Sequence, residues 1–369
     1  MIVGAGILGT MHAVAARRRD ISVTHLEADP EPRGATVRNF GFIHVSARAP
    51  GAELNAALRS RSVWADLGAE IPGIGFRSDG SITVLAHSKE LELASLVIER
   101  EDAAERGFKL LDRADVRAIN PALDGDFLGG LHSTIDAVVE PRFALRAIRE
   151  WLSASDRYTF LPATIAVDLE PSGIVDQRGR RHVGDHVILC PGVSNAGVAG
   201  AVVGDDDQYP VYLQMFQTEP HSFRLTTAVA GGDVMHDYPG FDMPSKPELP
   251  SRSEVGLLYD SHLLVTQRAS GELTIGDTHH TDLPLPFDID ETPVTSLVAG
   301  VESILGTKLP PIHRRWSGVY GRTRTAELCL RRVIGDNATL VTGLGGRGMT
   351  ISPAVAEHTF DILIGEGST

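Results

Sequence analysis

The sequence has 369 residues, of which 42% are hydrophobic and 38 are glycine, and a net charge of −14 from 34 basic and 48 acidic residues. This length is too great for one ordinary hydrophobic core and favours two domains. No apolar run approaches the length of a membrane span, and the acidic charge argues against nucleic acid or an anionic membrane as a partner. A small anionic ligand remains compatible with this charge if local arginines bind it.

The first 29 residues predict a strand, a tight glycine turn, a helix and a second strand that ends in an acid. Their glycines match the GxGxxG pattern, in which the first permits the turn, the second lets the backbone approach a pyrophosphate and the third lets helix and strand pack closely. The helix N-terminus offers unpaired amides to the phosphates, and the acid accepts hydrogen bonds from an adenosine ribose. The predicted cofactor contacts are Gly4, Gly6, Ile7, Leu8, Gly9, Glu27 and Ala28.

Only three residues precede Gly4, fewer than a central strand usually has, so we expect either a clipped strand or a start further upstream. The positive residues Arg17–Arg19 follow the apolar opening instead of preceding it, which is the wrong order for a signal peptide and predicts a cytoplasmic protein. Cys190 and Cys329 are too few for a disulfide framework, and we expect both to be buried as small hydrophobes.

Periodic apolar residues predict helices over 55–67, 89–106, 112–119, 142–152 and 290–305. Strands are predicted at 81–85 and within 158–192, where the apolar run that ends at Pro191 and Gly192 is typical of a buried parallel strand. From Val211 onward, alternating strands with a hairpin at Ala269–Gly271 predict an antiparallel sheet. A substrate would lie on its free face, against the candidates Tyr212, Gln214, His279 and His280.

The two adjacent histidines of this sheet do not predict a metal site, because neighbours on a strand point to opposite faces. A second glycine-rich turn, residues 343–350, follows a predicted strand at 338–343 and precedes a helix predicted from about Ser352. This turn presents a second helix N-terminus, the end of a helix that favours negative charge on a ligand.

Three segments together carry a family resemblance: GxGxxG with Glu27, the GAxxRNFG segment at 34–41, and GLGGRGMT at 343–350. They resemble the FAD-dependent amine oxidases of the D-amino-acid oxidase and glycine/sarcosine oxidase superfamily over nearly the whole chain. The resemblance implies an α/β fold, with a Rossmann-like FAD-binding domain (1–80, 140–210 and 321–369) and a second α+β domain built on an antiparallel sheet (81–139 and 211–320). It adds as cofactor contacts Ala35, Thr36, Arg38, Asn39, Phe40, Gly41, Pro191, Gly192, Gly345, Gly346, Arg347, Gly348, Met349 and Thr350.

The resemblance also implies non-covalent FAD that takes a hydride from the α-carbon of a small anionic amine, whose imine then hydrolyses. Dioxygen or another acceptor would reoxidise the flavin, and the oligomeric state stays open. For catalysis and for binding the anion it implies His44, Arg48, Arg322, Arg324 and Arg347, although only some of these arginines can bind the anion and each could instead pair with a glutamate.

Segments RGATVRNFGFI, YLQMFQTEP and GGRGMTISPA look most like a subgroup associated with aminophosphonate breakdown. The expected substrate is therefore 2-aminoethylphosphonate or its N-methyl derivative. Oxidation of a 2-hydroxy acid, a D-amino acid or sarcosine, and a non-catalytic flavoprotein, are the alternatives, because fold and cofactor do not fix a substrate.

Overall fold

The computed structural model describes residues 1–194, 196–204 and 206–365. Its strands are β1 (Ile2–Val3), β2 (Val23–Leu26), β3 (Phe42–Ile43), β4 (Ser81–Leu85), β5 (Phe108–Asp112), β6 (Gly129–Ser133), β7 (Ala137–Val138), β8 (Tyr158–Leu161), β9 (Ala166–Glu170), β10 (Gly173–Asp176), β11 (Arg181–Val183), β12 (Val187–Leu189), β13 (Gln208–Pro220), β14 (Ala228–Gly231), β15 (Leu264–Gln267), β16 (Glu272–Gly276), β17 (Ile312–Thr323), β18 (Leu330–Ile334) and β19 (Ala338–Thr342). Its α-helices are α1 (Ile7–Arg17), α2 (Ala52–Glu70), α3 (Ser88–Val97), α4 (Arg113–Ile119), α5 (Pro141–Ser153), α6 (Val198–Val202), α7 (Val234–Asp237), α8 (Glu254–Leu258), α9 (Glu291–Leu305) and α10 (Gly348–Leu363).

A six-stranded sheet carries the N-terminal βαβ unit, in the order β18-β19-β12-β1-β2-β8. All of its strands are parallel to their neighbours except β18, which pairs antiparallel with β19. Helices α1, α2, α5 and α10 pack their apolar residues into one core cluster on this sheet. The small sheet β11-β10-β9 contributes to a second cluster that includes residues of β2, β12 and β19. The central strands are thus covered by the helices and by the small sheet, which explains why they are apolar throughout.

An eight-stranded sheet runs in the order β17-β13-β16-β15-β14-β4-β6-β5 and is antiparallel except for the parallel pair β14 and β4. The predicted hairpin is confirmed, because β15 and β16 pair across Arg268–Gly271. Side chains alternate between the two faces of β13. Phe216 packs with residues of α9, whereas Leu213 and Met215 lie with Phe40 and Phe42 on the opposite face. That second face is turned toward the glycine turns of the other sheet.

The predicted helix over 89–106 is wrong in its second half, because α3 ends at Val97 and successive turns follow. The turns bring the fully buried Arg106 inward, where its guanidinium donates to the carbonyl of Arg48 (2.8 Å) and to Asp102 (2.9 Å). A continued helix would keep this arginine on a solvent face. The final helix also starts earlier than expected, at Gly348 instead of Ser352.

The strands of the two large sheets fall largely into the two sets of segments predicted as domains, although β13 begins at Gln208 and β17 continues to Thr323. The domain boundaries themselves stay a prediction. Within the described ranges, the helices include none that combines the length and apolarity needed to cross a membrane.

Candidate cofactor and substrate site

Two cavities meet between the glycine turns and the face of the eight-stranded sheet. The outer cavity, of about 380 Å³, follows the carboxyl ends of the parallel strands, and the inner cavity, of about 110 Å³, lies against the sheet. They are contiguous, since both are lined by Ile7, Ala35, Thr36, Tyr320, Gly345 and Gly348. The carboxyl ends of parallel strands are the edge at which α/β sheets bind ligands.

The first glycine turn forms the floor of the outer cavity. Gly4 has φ of 98°, a left-handed conformation that favours glycine, and its carbonyl accepts a hydrogen bond from His25 Nε2 (3.0 Å). The first hydrogen bond of the α1 ladder runs from the amide of Thr10 to the carbonyl of Gly6 (2.9 Å). The amides of residues 7–9 therefore precede the ladder, and that of Ile7 donates to Thr36 Oγ1 (2.9 Å). The amides of Leu8 and Gly9 are left at the positive end of the helix dipole.

Gly6 and Gly9 of this turn, and Gly192 after β12, lack a side chain for different reasons. A Cβ on Gly6 would meet only Thr36 Oγ1, at 3.5 Å, and one on Gly192 would meet no atom within 4 Å, so both leave open space in the outer cavity. A Cβ on Gly9, by contrast, would lie 1.9 Å from the carbonyl oxygen of Gly4. Gly9 does not line either cavity and serves the packing of α1 on β1. An open cradle of backbone amides is what a dinucleotide pyrophosphate requires, so this turn fits the predicted cofactor.

Glu27 lines the outer cavity together with Ala28, Pro191 and Leu8. Its carboxylate accepts hydrogen bonds from the amides of Ala5 (2.7 Å) and Asp29 (3.1 Å) and so ties β2 to the glycine turn. One carboxylate can accept further bonds, which leaves capacity for a ribose hydroxyl at the same position.

The 35–41 segment forms the junction between the cavities. Arg38, Asn39 and Phe40 line the inner cavity, whereas Gly41 does not: its φ is 69° and a Cβ there would lie 2.1 Å from the carbonyl oxygen of Val139. Asn39 shapes the segment by donating to the carbonyl of Thr36 (2.7 Å) and accepting from the amide of Gly41 (2.6 Å). The Arg38 guanidinium donates to the carbonyls of residues 33 (2.9 Å) and 317 (2.7 Å).

The second glycine turn directs α10 at the inner cavity. Gly345, Gly346, Gly348 and Met349 line that cavity, with Gly345 at a φ of 64°. Thr350 is buried and lines neither cavity within the described chain. The N-terminal end of a 16-residue helix therefore lies at the wall of the inner cavity, where it stabilises negative charge.

The walls of the inner cavity are mostly apolar, with Phe40, Phe42, Leu213, Met215 and Met349 among them. Asp277 is its one acidic side chain among the residues that the structure describes, and it follows directly on β16. It is 8% exposed, its Oδ1 has no hydrogen-bond partner in the described chain, and its Oδ2 lies 3.6 Å from His279 Nε2. Burial raises the pKa of Asp277, while the nearby His279 and His262 oppose this rise.

A cluster of polar groups continues behind Asp277. His262, Asp277 and His279 each place one nitrogen or carboxylate oxygen within 4.8 Å of the others. Burial alone would lower the pKa of His262, but its hydrogen bond to Asp237 (2.9 Å) and the other carboxylates nearby raise it overall. Tyr238 lies edge-on to His262, with 5.4 Å between ring centroids, and burial raises the pKa of its hydroxyl. The cluster therefore links the inner cavity to a charged network.

The structure places two of the expected anion-binding arginines in a common ion pair. Arg347 Nη1 lies 3.0 Å from Glu53 Oε2, and Arg48 Nη1 lies 3.6 Å from Glu53 Oε1. Neither arginine lines either cavity in the described chain, because this carboxylate holds both. Exposed Arg322 and Arg324 also line neither cavity, and the Arg324 guanidinium lies 5.2 Å from the Tyr209 ring centroid.

His44 does not line the inner cavity but lies behind Phe42, which does. Its ring stacks on Phe42 with 4.3 Å between centroids, and burial lowers its pKa to about 4 although Asp136 lies 4.0 Å away. It is therefore neutral near pH 7 and cannot supply a positive charge there.

The side chains of Tyr212 and Gln214 connect strand β13 to the segment 288–290 by hydrogen bonds. The Tyr212 hydroxyl donates to the carbonyl of Asp288 (3.0 Å), and Gln214 Oε1 accepts from the amide of Asp290 (2.9 Å). His280 pairs with the Tyr212 backbone in both directions (2.8 Å). Of the four substrate candidates on this sheet, His279 is the one that contacts an inner-cavity side chain, through Asp277.

Sequence reasoning missed Asp277, Tyr238, His262 and Tyr320 as members of the site. Tyr320 lines both cavities from β17. Asp277 directly precedes the Thr-His-His run that drew attention to this strand, and its position after an apolar strand is the signal that could have identified it.

Comparison with known proteins identifies a family. The family model described as DAO, FAD dependent oxidoreductase, matches residues 1–362. No curated protein sequence matches the chain.

Solved structures of similar fold cover almost the whole chain. Glycine oxidase from Bacillus cereus ATCC 14579 has a TM-score of 0.78 and 17% identity, with 100% of this chain and 95% of that chain covered. Iminodiacetate oxidase from Chelativorans sp. BNC1 has a TM-score of 0.76 and 17% identity, with coverage of 99% and 95%. L-alpha-glycerophosphate oxidase from Mycoplasma pneumoniae, with FAD bound, has a TM-score of 0.73 and 14% identity, with coverage of 98% and 94%.

Proposed function

Because the chain belongs to the DAO family of FAD-dependent oxidoreductases, we propose that it oxidises a small amine in the inner cavity. Bound FAD supplies the two-electron acceptor for the C–H bond next to the substrate nitrogen. The chain's own part is to hold the cofactor, to orient the amine and to exclude water from the reacting atoms.

The observation that carries this proposal is the continuity of the two cavities. The outer one offers the open glycine turn and Glu27 to a dinucleotide, and the inner one is small, mostly apolar and closed by the N-terminus of α10. We infer that Gly4, Gly6 and Gly192 lie along the pyrophosphate and adenosine, and that Thr36, Phe40 and Gly346 lie along the flavin. With FAD bound, the N-terminus of α10 would stabilise negative charge on the flavin. The two cysteines are buried, which supports non-covalent binding.

The substrates that we propose are a narrower class than the family description alone allows. Glycine oxidase and iminodiacetate oxidase, which share this fold, act on amines by name. The segments quoted above resemble an aminophosphonate subgroup, so 2-aminoethylphosphonate and its N-methyl derivative are our first candidates.

Arg38 is the arginine that lines the inner cavity in the described part of the chain, and we propose that it attracts the anionic group. A guanidinium has five N–H donors, and the two hydrogen bonds of Arg38 to backbone carbonyls leave further donors available.

Oxidation of a hydroxyl substrate is the second candidate, since glycerophosphate oxidase shares the fold with FAD bound. The experiment is anaerobic addition of separate substrates to the purified holoenzyme: glycine, sarcosine, a D-amino acid, 2-aminoethylphosphonate, its N-methyl derivative and a 2-hydroxy acid. Loss of flavin absorbance at about 450 nm reports reduction.

Bleaching by the aminophosphonates alone supports the full proposal. Bleaching by amino acids instead retains amine oxidation and removes the phosphonate. Bleaching by the hydroxy acid alone refutes amine oxidation, and a yellow protein that no compound bleaches favours a non-catalytic flavoprotein.

A further inference from the structure

The inner cavity contains a buried carboxyl group, Asp277, one of whose oxygens has no hydrogen-bond partner in the described chain. Asp277 Oδ1 is buried and accepts no hydrogen bond in the described chain, although an unpaired carboxylate is costly in apolar surroundings. Most side chains around it are apolar, and the polar ones that line the same cavity, Arg38, Asn39 and Tyr320, do not donate to this oxygen. A ligand that enters this cavity with N–H donors and a positive charge would satisfy that oxygen.

The other oxygen of Asp277 faces a histidine. Oδ2 lies 3.6 Å from His279 Nε2, and His279 is itself fixed, because its Nδ1 donates to the carbonyl of Asp260 (2.9 Å). One edge of the carboxylate therefore faces this imidazole, while Oδ1 on the other edge has no partner in the described chain. Such an arrangement positions a group for binding before the ligand arrives.

Several titratable groups from four different parts of the chain surround Asp277. His279 lies on the segment after β16, His262 precedes β15 together with Asp260, Tyr238 follows α7 and Tyr320 lies on β17. The histidines favour the charged form of Asp277, and Asp260 and burial oppose it. The hydroxyls of the two tyrosines keep their protons, because burial raises the pKa of both.

We propose that Asp277 Oδ1 binds the ammonium group of the substrate and accepts its proton. This inference rests on the proposed function and specifies the substrate as an amine that enters in its protonated form. One N–H bond breaks and one O–H bond forms, so the substrate nitrogen changes from +1 to neutral and the carboxylate from −1 to neutral. The nitrogen lone pair is then free when the neighbouring C–H bond is oxidised.

The proposal also explains selection between amines and alcohols. An alcohol brings no positive charge, so its entry leaves the buried carboxylate uncompensated. A protonated amine of the same shape compensates it.

The first test measures binding without turnover. tert-Butylammonium carries no hydrogen on the carbon next to nitrogen and cannot be oxidised there, and tert-butanol is its neutral counterpart. Dissociation constants are obtained from the change in the flavin spectrum of the holoenzyme. We expect the ammonium to bind the wild type at least tenfold more tightly than the alcohol, and D277N to lose this preference.

D260N is the matched control, because the Asp260 carboxylate belongs to the neighbouring cluster around His262 but does not line the inner cavity within the described chain. It should keep the preference for the ammonium. Equal binding of tert-butylammonium by the wild type and D277N, with FAD retained in both, would overturn the assignment.

The second test follows anaerobic flavin reduction by the amine that reduces the wild type, as a function of pH. D277N should bind FAD normally yet react only with neutral amine from solution, so its rate should rise about tenfold per pH unit below the amine's own pKa. An unchanged pH profile in D277N also overturns the assignment. Failure of every amine to reduce the wild type refutes the proposed function alone, since the binding test still decides whether Asp277 recognises ammonium.

Discussion

A methyl group added to Gly6 or to Gly9 should have opposite consequences, although both glycines belong to the same motif. Gly6 has φ of −64° and ψ of 178°, which alanine also adopts, and a Cβ there would meet only Thr36 Oγ1 at 3.5 Å. At Gly9 a Cβ would lie 1.9 Å from the carbonyl oxygen of Gly4 and 3.3 Å from His25 Nε2. Gly6→Ala therefore fills open space that we infer the cofactor occupies, whereas Gly9→Ala forces the backbone of the glycine turn to move.

The magnitudes follow from these contacts. Alanine in place of glycine at the N-cap should cost up to about 1 kcal/mol of folding free energy. The loss of one charged hydrogen bond between a pyrophosphate oxygen and the loop, about 1.5–3 kcal/mol, should weaken FAD binding roughly tenfold to a hundredfold. Gly9→Ala gains about 1 kcal/mol of helix propensity but requires the backbone of Gly4 to move, and such overpacking costs about 1–3 kcal/mol or more.

The assay combines urea unfolding of the apoprotein with FAD titration of each variant. Gly184→Ala is the control, because a Cβ there makes ordinary contacts with Met1 and lies away from both cavities. We expect apo Gly6→Ala to be nearly as stable as the wild type with a much higher dissociation constant for FAD, and apo Gly9→Ala to be destabilised. FAD binding by Gly6→Ala that equals that of the wild type would refute the argument that the backbone approaches the pyrophosphate at this turn.

Three further predictions concern charge. Burial lowers the pKa of His25 to about 4, against the opposing effect of its hydrogen bond to Gly4. Between pH 7.5 and 5 this histidine therefore takes up a proton in the unfolded chain but not in the folded one, and the free energy of unfolding should fall by about 2 kcal/mol. Urea unfolding of His25→Gln should lack this part of the pH dependence, and a pH dependence equal to that of the wild type would contradict the prediction. Glu53→Gln leaves the guanidinium groups of Arg48 and Arg347 facing each other and should lower the unfolding free energy by about 3–5 kcal/mol. Arg347→Gln should lower it by less. A greater loss of stability in Arg347→Gln than in Glu53→Gln, measured by urea unfolding, would disprove the shared ion pair. Dialysis against a chelator should leave flavin reduction unchanged, because the sequence predicts no metal; lost activity that a divalent ion restores would contradict this.

The sequence predicts the strand, glycine turn and helix at the N-terminus well because the reasons for them are local. A positive φ at Gly4 and an open approach at Gly6 depend on residues within one turn, and the strand, helix and acid around them follow at short range. The β15–β16 hairpin is predictable for the same reason, since the alternation of its two strands and the turn at Ala269–Gly271 lie within one short segment.

The inner site depends on contacts between distant parts of the chain. Arg347 pairs with Glu53, 294 residues away, and no local pattern distinguishes that pairing from a free arginine at the cavity. Asp277 reaches the cavity because β16 pairs with β13 and β15, so its role becomes visible only when the strand order is known. The predicted end of the helix over 89–106 is wrong for a similar reason. α3 ends at Val97 because Arg106 is buried against the distant backbone carbonyl of Arg48, which prevails over the local helix periodicity.

The most direct test of amine oxidation compares two compounds that differ only in the reacting group, 2-aminoethylphosphonate and 2-hydroxyethylphosphonate. Each is mixed with the oxidised holoenzyme without oxygen, and the flavin absorbance is followed. The inner cavity, with its free carboxylate oxygen, predicts that the amine bleaches the flavin and the alcohol does not. Bleaching by the alcohol and not by the amine would contradict the central claim that this site oxidises amines.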